Sequence, residues 1–447
     1  MIIRMPAEFS SHEKSIYNRI AARLLPFLFI LYVIAFIDRV NVSFAKFSMG
    51  ADIGMSDQAY GLGAGICFLG ICIFEIPSNI MLQRVGARFW LARIMVVWGL
   101  CCIAMSWVRS PTSFYVLRFA LGAAEAGLFP GVMYYLAVWF PTKLRAQATT
   151  LFALGLPVSG IVGAPICGWI MAHMGGVGIF RDWQWLFILT GIPAVALGFA
   201  TYLFLVDTPD EAAWLTPQDK EVIFRVKQRE PAMPSHDLKH GRLRAALFNK
   251  TLWSLSLVNF AVVIAIYSVA FWFPQMVNSL GIQDKFVIGL IVSIPSIAGG
   301  AGLIIIGQSS DRRSERRWHM VACLLMASIG LALAGWSATN LALLVFSVSL
   351  AMFGLMTSAI MLSLMPGLLV TGVVAAAGFA LVSSVGNAAG IVGPPFVGWV
   401  MQVTGHIEYS FLVFGGMTLL GAVTIAMMPG LGRQAVQALP SVAKNIE

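Results

Sequence analysis

The sequence predicts an all-α membrane protein: twelve transmembrane helices in two pseudo-symmetric six-helix bundles. Three observations lead there. Of 447 residues, 59% are hydrophobic and only 11% charged, with a mean hydropathy of +0.84; that is more apolar side chain than a water-soluble surface of this size needs. Apolar runs long enough to cross a bilayer recur throughout. The thirteen residues SGIVGAPICGWIM at 159–171 return 230 positions later as AGIVGPPFVGWVM at 389–401. Such a repeat marks two related halves with a cavity expected where they meet.

A spanning helix needs about 20 mostly apolar residues, because the hydrocarbon core is about 30 Å thick and a helix rises about 1.5 Å per residue. Twelve stretches meet that length: 24–45, 60–82, 89–108, 112–139, 146–171, 184–206, 251–277, 286–306, 318–336, 341–364, 372–400 and 409–429. Lipid cannot satisfy backbone polar groups, so these stretches read as helices and not strands. The first has no small-residue cleavage site and reads as a retained span.

Lys and Arg are distributed unevenly between alternate connections. One side carries Arg4, Lys14, Arg19 and Arg23, then Arg84 and Arg88, Lys143 and Arg145, and Arg312, Arg313, Arg316 and Arg317; the other offers Lys46, Arg109, Arg181 and Lys285. This asymmetry places both termini in the cytoplasm, and with no long extracytoplasmic segment between the spans an inner or plasma membrane is expected. The one long connection, Asp207 to Lys250, holds eight Lys or Arg residues near the chain midpoint. It divides the chain into an N-terminal bundle at 1–206, a cytoplasmic linker at 207–250, and a C-terminal bundle with a cytoplasmic tail at 251–447. Within the linker, Glu221–Arg229 is expected to form a short surface helix.

Composition also excludes several function classes. The net charge of +9 is spread over loops with no nucleic-acid module beside it. The six cysteines lie in apolar segments without paired spacing, so they read as small buried hydrophobes and not as a disulfide framework or metal site. No Ser/His/Asp set, metal cluster or nucleotide loop appears, so neither an enzyme nor a cofactor is expected. His173 and His406 in external turns, and His236 and His240 in the linker, read as solvated.

Five ionisable residues fall inside the spans: Asp38, Arg39, Glu75, Arg118 and Glu125. A charge at mid-bilayer costs about 2.5 to 3.5 kcal/mol on insertion scales, so such residues face a cavity or a partner. Arg118 and Glu125 are seven apart, on one helix face but about 10.5 Å apart along the axis. They are too distant to pair, which leaves Asp38 and Arg39 as their candidate partners. One reading makes the set structural, clamping helices together. The other assigns Arg39 and Arg118 to an anionic substrate and Asp38 and Glu125 to a proton. Arginine stays charged and offers a rigid fork of donors, whereas a carboxyl beside a low-dielectric cavity can take up and release a proton. Glu75, near the cytoplasmic end of the second span, reads as structural, held by water or by the turn from Arg84 to Arg88.

Gly160, Gly163 and Gly168 in the first repeat copy match Gly390, Gly393 and Gly398 in the second, and Pro165 matches Pro395. Glycines permit close helix approach and the prolines bend the helices. Asn387, one turn before the second glycine set, must find hydrogen bonds in mid-span, from substrate or from another helix. Tyr32, Tyr267, Trp272 and Gln275 are candidates to line the same cavity. The turn at 307–313, with Asp311 and Arg312, occupies the place that Gln83–Arg88 holds in the first half. Asp311 is placed to cap a helix or pair with an arginine; the first-half turn lacks an acid, and Glu75 is its candidate substitute.

These residues resemble the major facilitator superfamily, and within it the anion:cation symporter family of tartrate, sugar-acid, phthalate and hydroxyphenylacetate carriers. The resemblance runs from about Leu25 to Pro429. It is carried by DRVNV at 38–42, FEIPSN at 74–79, RVGARFWLAR at 84–93, FYVLRFALGAAEAGLFPG at 114–131, YYLAVWFP at 134–141, WQWLFI at 183–188 and SSVGNAAGIVGPPFVGW at 383–399. It implies an alternating-access proton symporter for organic anions, functional as a monomer. The residues resembling Arg39 and Arg118 are associated with the substrate carboxylate, those resembling Asp38 and Glu125 with the proton, and that resembling Asn387 with substrate polar groups. Two positions depart from the family pattern. Thr190 stands where a glutamate is common, and Ile71 where a tyrosine is common; the loss of that hydroxyl shifts weight from a highly hydroxylated sugar acid toward tartrate-like, other small hydroxy-acid or aromatic acid substrates. Rival expectations are an anion exchanger or uniporter on the same fold, and a drug or metabolite exporter.

Overall fold

The computed structural model describes residues 9–229, 248–313, 315–337, 339–365 and 373–428, apart from the side chains of 146, 311, 364 and 373–377. Among the described residues, twelve helices are long and apolar enough to cross a membrane: Ser11–Asp52, Asp57–Val85, Ala87–Trp107, Pro111–Trp139, Thr142–His173, Asp182–Phe204, Lys250–Ser279, Lys285–Ser310, Arg317–Trp336, Leu341–Ser363, Gly378–Thr404 and Glu408–Met427. They are numbered first to twelfth below.

The first helix starts well before its apolar run. Ser10 and Glu13 close a reciprocal cap, Ser10 N–H donating to Glu13 Oε2 at 2.7 Å and Glu13 N–H to Ser10 Oγ at 3.2 Å, which satisfies two of the free amides at the helix start. The extension then buries Ile16, Tyr17, Ile20 and Ala21. Ser56, Asn249 and Asn340 cap the second, seventh and tenth helices one way, each side chain accepting from backbone amides of the first turn.

Spans one to six pack on one another, as do spans seven to twelve, and the bundles meet along two seams, fifth span on eighth and second on eleventh. The repeat builds both. A Cβ at Gly168 would lie 2.4 Å from Lys285 O, and one at Gly398 2.6 Å from Asp57 O. Gly160 and Gly390 likewise abut Ser296 and Phe68 across the seams, whereas Gly163 and Gly393 abut Ile37 and Ile264 of their own bundles. Two glycines of each copy thus face the other half of the molecule and one faces its own.

Polar ties gather at the end of the seams that carries Asp57 and Lys285, termed here the closed end. Tyr60 Oη donates to Phe271 O at 3.0 Å, Gln275 Nε2 to Ser43 O at 2.6 Å, and Lys285 Nζ to Asp182 Oδ2 at 2.6 Å. Gln275 thus takes part in this closure, and Trp272 packs edge-on against Tyr60 with ring centroids 5.1 Å apart.

Three spans are not continuous helices. The first is two pieces, Ser11–Val40 and Val42–Asp52, joined at Asn41; the fifth is interrupted at Leu154. The fourth breaks hardest, with Pro111–Glu125 ending at Ala126 in an extended conformation and Leu128–Trp139 starting after Gly127 at φ 89°. Only glycine adopts that left-handed backbone without strain.

Two turns correct the sequence reading. The acid serving the turn at 84–88 is Asp207 and not Glu75: Arg88 N–H donates to Asp207 Oδ1 at 2.8 Å, and a Cβ at Gly86 would strike Asp207 Oδ2. At the matching turn Glu315 caps the ninth helix, accepting from Trp318 N–H at 2.7 Å and contacting His319 Nδ1 at 2.7 Å. The Asp311 side chain lies outside the described residues. The linker forms a helix at Pro217–Gln228, starting earlier than expected because Thr216 caps it in a reciprocal box with Asp219 and Pro217 takes the first helical position. It is docked and not free: Asp219 accepts from Arg19 at 2.8 Å and Glu13 from Arg229 at 2.9 Å. Linker residues 230–247, with His236 and His240, and the tail from 429 lie outside the described residues.

Candidate functional site

Arg39 stands in the last turn before the bend in the first span, at the boundary between the bundles. It forms an ion pair with Glu125, itself almost fully buried, and its other terminal nitrogen donates to Tyr267 Oη at 3.4 Å. Its guanidinium lies over the rings of Phe36 at 4.6 Å and Phe68 at 5.8 Å. The aromatic faces favour a cation where water is scarce. Glu125 Oε2 and Arg39 Nε have no partner among the described residues, so both ends of the pair keep unused hydrogen-bonding capacity.

Arg39 thus meets one expected partner, Glu125, but Asp38 and Arg118 do not pair. Successive helix residues point about 100° apart, and Asp38 turns into its own bundle, 1% exposed. There the Cys102 thiol donates to Asp38 Oδ1 at 3.6 Å, and Asn41 Nδ2 donates to Thr190 Oγ1 at 2.8 Å. Among the described residues, Asp38 Oδ2 is unpartnered and no Lys, Arg or His forms an ion pair with this carboxyl. Cys102, read from the sequence as a small hydrophobe, is thus a donor to that carboxyl.

Arg118 is also 1% exposed. It donates through Nε to Gly63 O at 3.2 Å, lies 6.0 Å from the Phe271 ring centroid, and leaves Nη2 unpartnered. Phe68 and Phe271, 6.2 Å apart, stand between the two arginines. Arg118 is the member nearer the closed end.

Tyr267 packs on Phe68 at 4.4 Å, and Tyr32 on Phe36 at 4.9 Å and Phe152 at 4.3 Å, so aromatic rings surround Arg39. Asn387 comes across from the eleventh span to within reach of the Glu75 carboxylate, on which the charge of Arg39 also acts. Glu75 therefore faces the same interface, whereas Arg84, Arg88 and Arg312 sit at the turns away from it.

Lys46 is a further largely buried charge, on the same helical stretch as Arg39. The sequence reading placed it in an external turn, but the first helix continues to Asp52. Lys46 Nζ pairs with Asp57 at 2.5 Å and lies 3.9 Å from the Trp272 ring centroid and 4.8 Å from that of Tyr60. Asp57, eleven residues on, was the available signal. Among the described residues no group of three or more His, Cys, Asp or Glu could hold a metal ion.

This arrangement, two six-helix bundles with charges gathered at their junction, coincides with a sequence match. The profile of the Major Facilitator Superfamily fits residues 28–377 and 284–441. The chain belongs to the Major Facilitator Superfamily. It is 42% identical over 416 residues to "Putative metabolite transport protein NicT" of Pseudomonas putida, covering 93% of this chain and 95% of that one. It is 37% identical to "Putative tartrate transporter" of Agrobacterium vitis, covering 95% and 94%, and 37% identical to "Quinolone resistance transporter" of Acinetobacter baumannii, covering 95% and 98%. Among solved structures the D-xylose-proton symporter superposes with a TM-score of 0.69 at 14% identity, covering 93% of this chain and 99% of that one; this shows the shared fold. As a superfamily member the chain is a multi-pass membrane protein that moves small molecules by alternating access, not an enzyme.

Proposed function

We propose that this facilitator couples the uptake of a small organic anion to protons. The observation that carries the reading is the Arg39 guanidinium, held at the bundle junction by Glu125 and Tyr267 with a donor still unused. A substrate carboxylate competes with Glu125 for that fork, and protonation of Glu125 releases Arg39 to accept it. Anion and proton then favour each other's binding without touching. The buried Asp38 carboxyl, with donors but no cation partner, is the second proton carrier. Arg118 is the second anion contact, reached when the closed end opens and Phe68 and Phe271 part. The aromatic walls around Arg39 fit a flat or compact acid better than a large polyol.

In this reading both termini face the cytoplasm, the membrane is the bacterial inner membrane, and the linker at 207–250 joins two bundles that rock as a monomer. A membrane potential of about 100 mV, negative inside, contributes about 2.3 kcal/mol per elementary charge moved inward. A monoanion entering with two or more protons is then driven by voltage as well as pH. The quinolone-related relative supports one rival, outward transport of a drug-like solute.

The test is reconstitution. Mono- and dicarboxylic acids are screened for thermal stabilisation of the purified protein, and uptake of the best is followed with and without an inward proton gradient. Glu125→Gln should abolish uphill accumulation while retaining counterflow. Undiminished uphill uptake in that variant would falsify the proton role; stabilisation by quinolones and by no acid would favour the exporter.

A further inference from the structure

The break in the fourth span is held open from outside. In an uninterrupted helix Ala126 O would accept the amide of the residue four positions on, but that residue is Pro130, which has no N–H. The carbonyl takes its hydrogen bond elsewhere: Ser78 Oγ, on the second span, donates to it at 2.6 Å in a buried setting. Ser78 Oγ in turn accepts from Trp90 Nε1 at 2.9 Å, and Arg93 lies 4.3 Å from the centroid of that indole. A Cβ at Gly127 would come within 2.3 Å of the same oxygen, so hydroxyl and glycine are fitted to each other. Glu125 is the residue immediately before this junction.

We propose that Ser78, oriented by Trp90, is a positioning residue for Glu125: it fixes the break in the fourth span and so where the carboxyl stands against Arg39. The role rests on the reading that Glu125 carries a proton. Ser78 has one hydroxyl hydrogen, and the indole donation directs it at Ala126 O. Without the serine, a buried carbonyl is left unpaired next to Glu125, which costs free energy, and the two half-helices must shift to find another donor. The serine touches neither ion-pair partner.

The probe is the proton alone, read on the full chain in liposomes by infrared titration of protonated-carboxyl bands. The band missing from Glu125→Gln belongs to Glu125. Its midpoint should move by about one pH unit, a tenfold change in proton affinity, in Ser78→Ala. It should move in the same sense but less in Trp90→Phe, and stay within about 0.3 units of the native value in Ser78→Thr, which keeps the hydroxyl. A native midpoint in both Ser78→Ala and Trp90→Phe, with Glu125 still titrating, overturns the positioning role and leaves the transport reading intact. Absence of any Glu125-dependent band between about pH 4 and 10 removes the proton role and this role with it. Should Ser78→Ala fail to fold, Trp90→Phe and Ser78→Thr decide the outcome.

Discussion

Arg39 and Glu125, 86 residues apart in sequence, form an ion pair where two interrupted helices face each other. Each sits at the end of a half-helix and next to backbone that has left regular geometry. A pair so placed can be remade without unwinding a helix, which suits the exchange for substrate proposed above.

Replacing Arg39 with Lys keeps the charge but loses the planar fork that reaches Glu125 and Tyr267 together. Breaking a buried charged contact costs about 2 to 5 kcal/mol. Half-saturation for the transported acid should rise at least about tenfold, checked by counterflow in proteoliposomes, while Arg109→Lys at the exposed turn leaves it unchanged.

Asp38→Asn keeps the shape and the thiol contact from Cys102 but cannot gain or lose a proton. Counterflow should persist and uphill accumulation should fall to the level of gradient-free vesicles. Accumulation at the native level would take Asp38 out of the coupling.

Gly168→Ala and Gly398→Ala each push a methyl against backbone at the closed end, at 2.4 and 2.6 Å. Overpacking of this kind costs about 1 to 3 kcal/mol, charged to the closed arrangement. Hydrogen exchange should accelerate at 57–61 and 285–289 in the variants; unchanged protection there would show that the seams are looser than the glycines imply.

The docked linker helix should loosen in acid. Burial acts to raise the Asp219 pKa, but hydrogen bonds from Thr216 and the charge of Arg19 outweigh it, and the group ends below its ordinary value of 3.8. A lowered carboxyl stabilises docking above its unfolded value and loses that contribution as pH falls through the folded one. Protection of 217–228, corrected for intrinsic exchange rate, should hold from about pH 7 to 5 and drop below about pH 4.

The spans were legible because lipid imposes one ruler on every helix. The repeated glycines signalled close helix approach, but not that two of each three would face the other bundle, because spacing alone does not name the partner helix. Side-chain direction was harder to read. Asp38 and Arg39 are neighbours in sequence, and no spacing rule says which of them turns inward; the pocket of Cys102, Asn41 and Thr190 that receives Asp38 comes from three spans. Lys46 was misplaced because its apolar run fades before the helix stops. The break at Ala126 did leave a trace, Gly127 followed by Pro130, but the serine that completes it is 48 residues upstream. Asp207 was assigned to the linker although it closes the first-half turn, since only the packing of the sixth span brings it there.

The bare glycine faces of the seams bear on how fast such a carrier can turn over. Interlocking side chains must climb out of their holes before two helices slide, and every knob adds to the activation barrier. Where glycine meets main chain, at Gly168 on Lys285 and Gly398 on Asp57, no such toll arises, and resistance concentrates in the directional contacts of Tyr60, Lys46, Gln275 and Lys285. Cycling speed is then adjustable by single substitutions at those four residues, with the glycine contacts themselves left untouched.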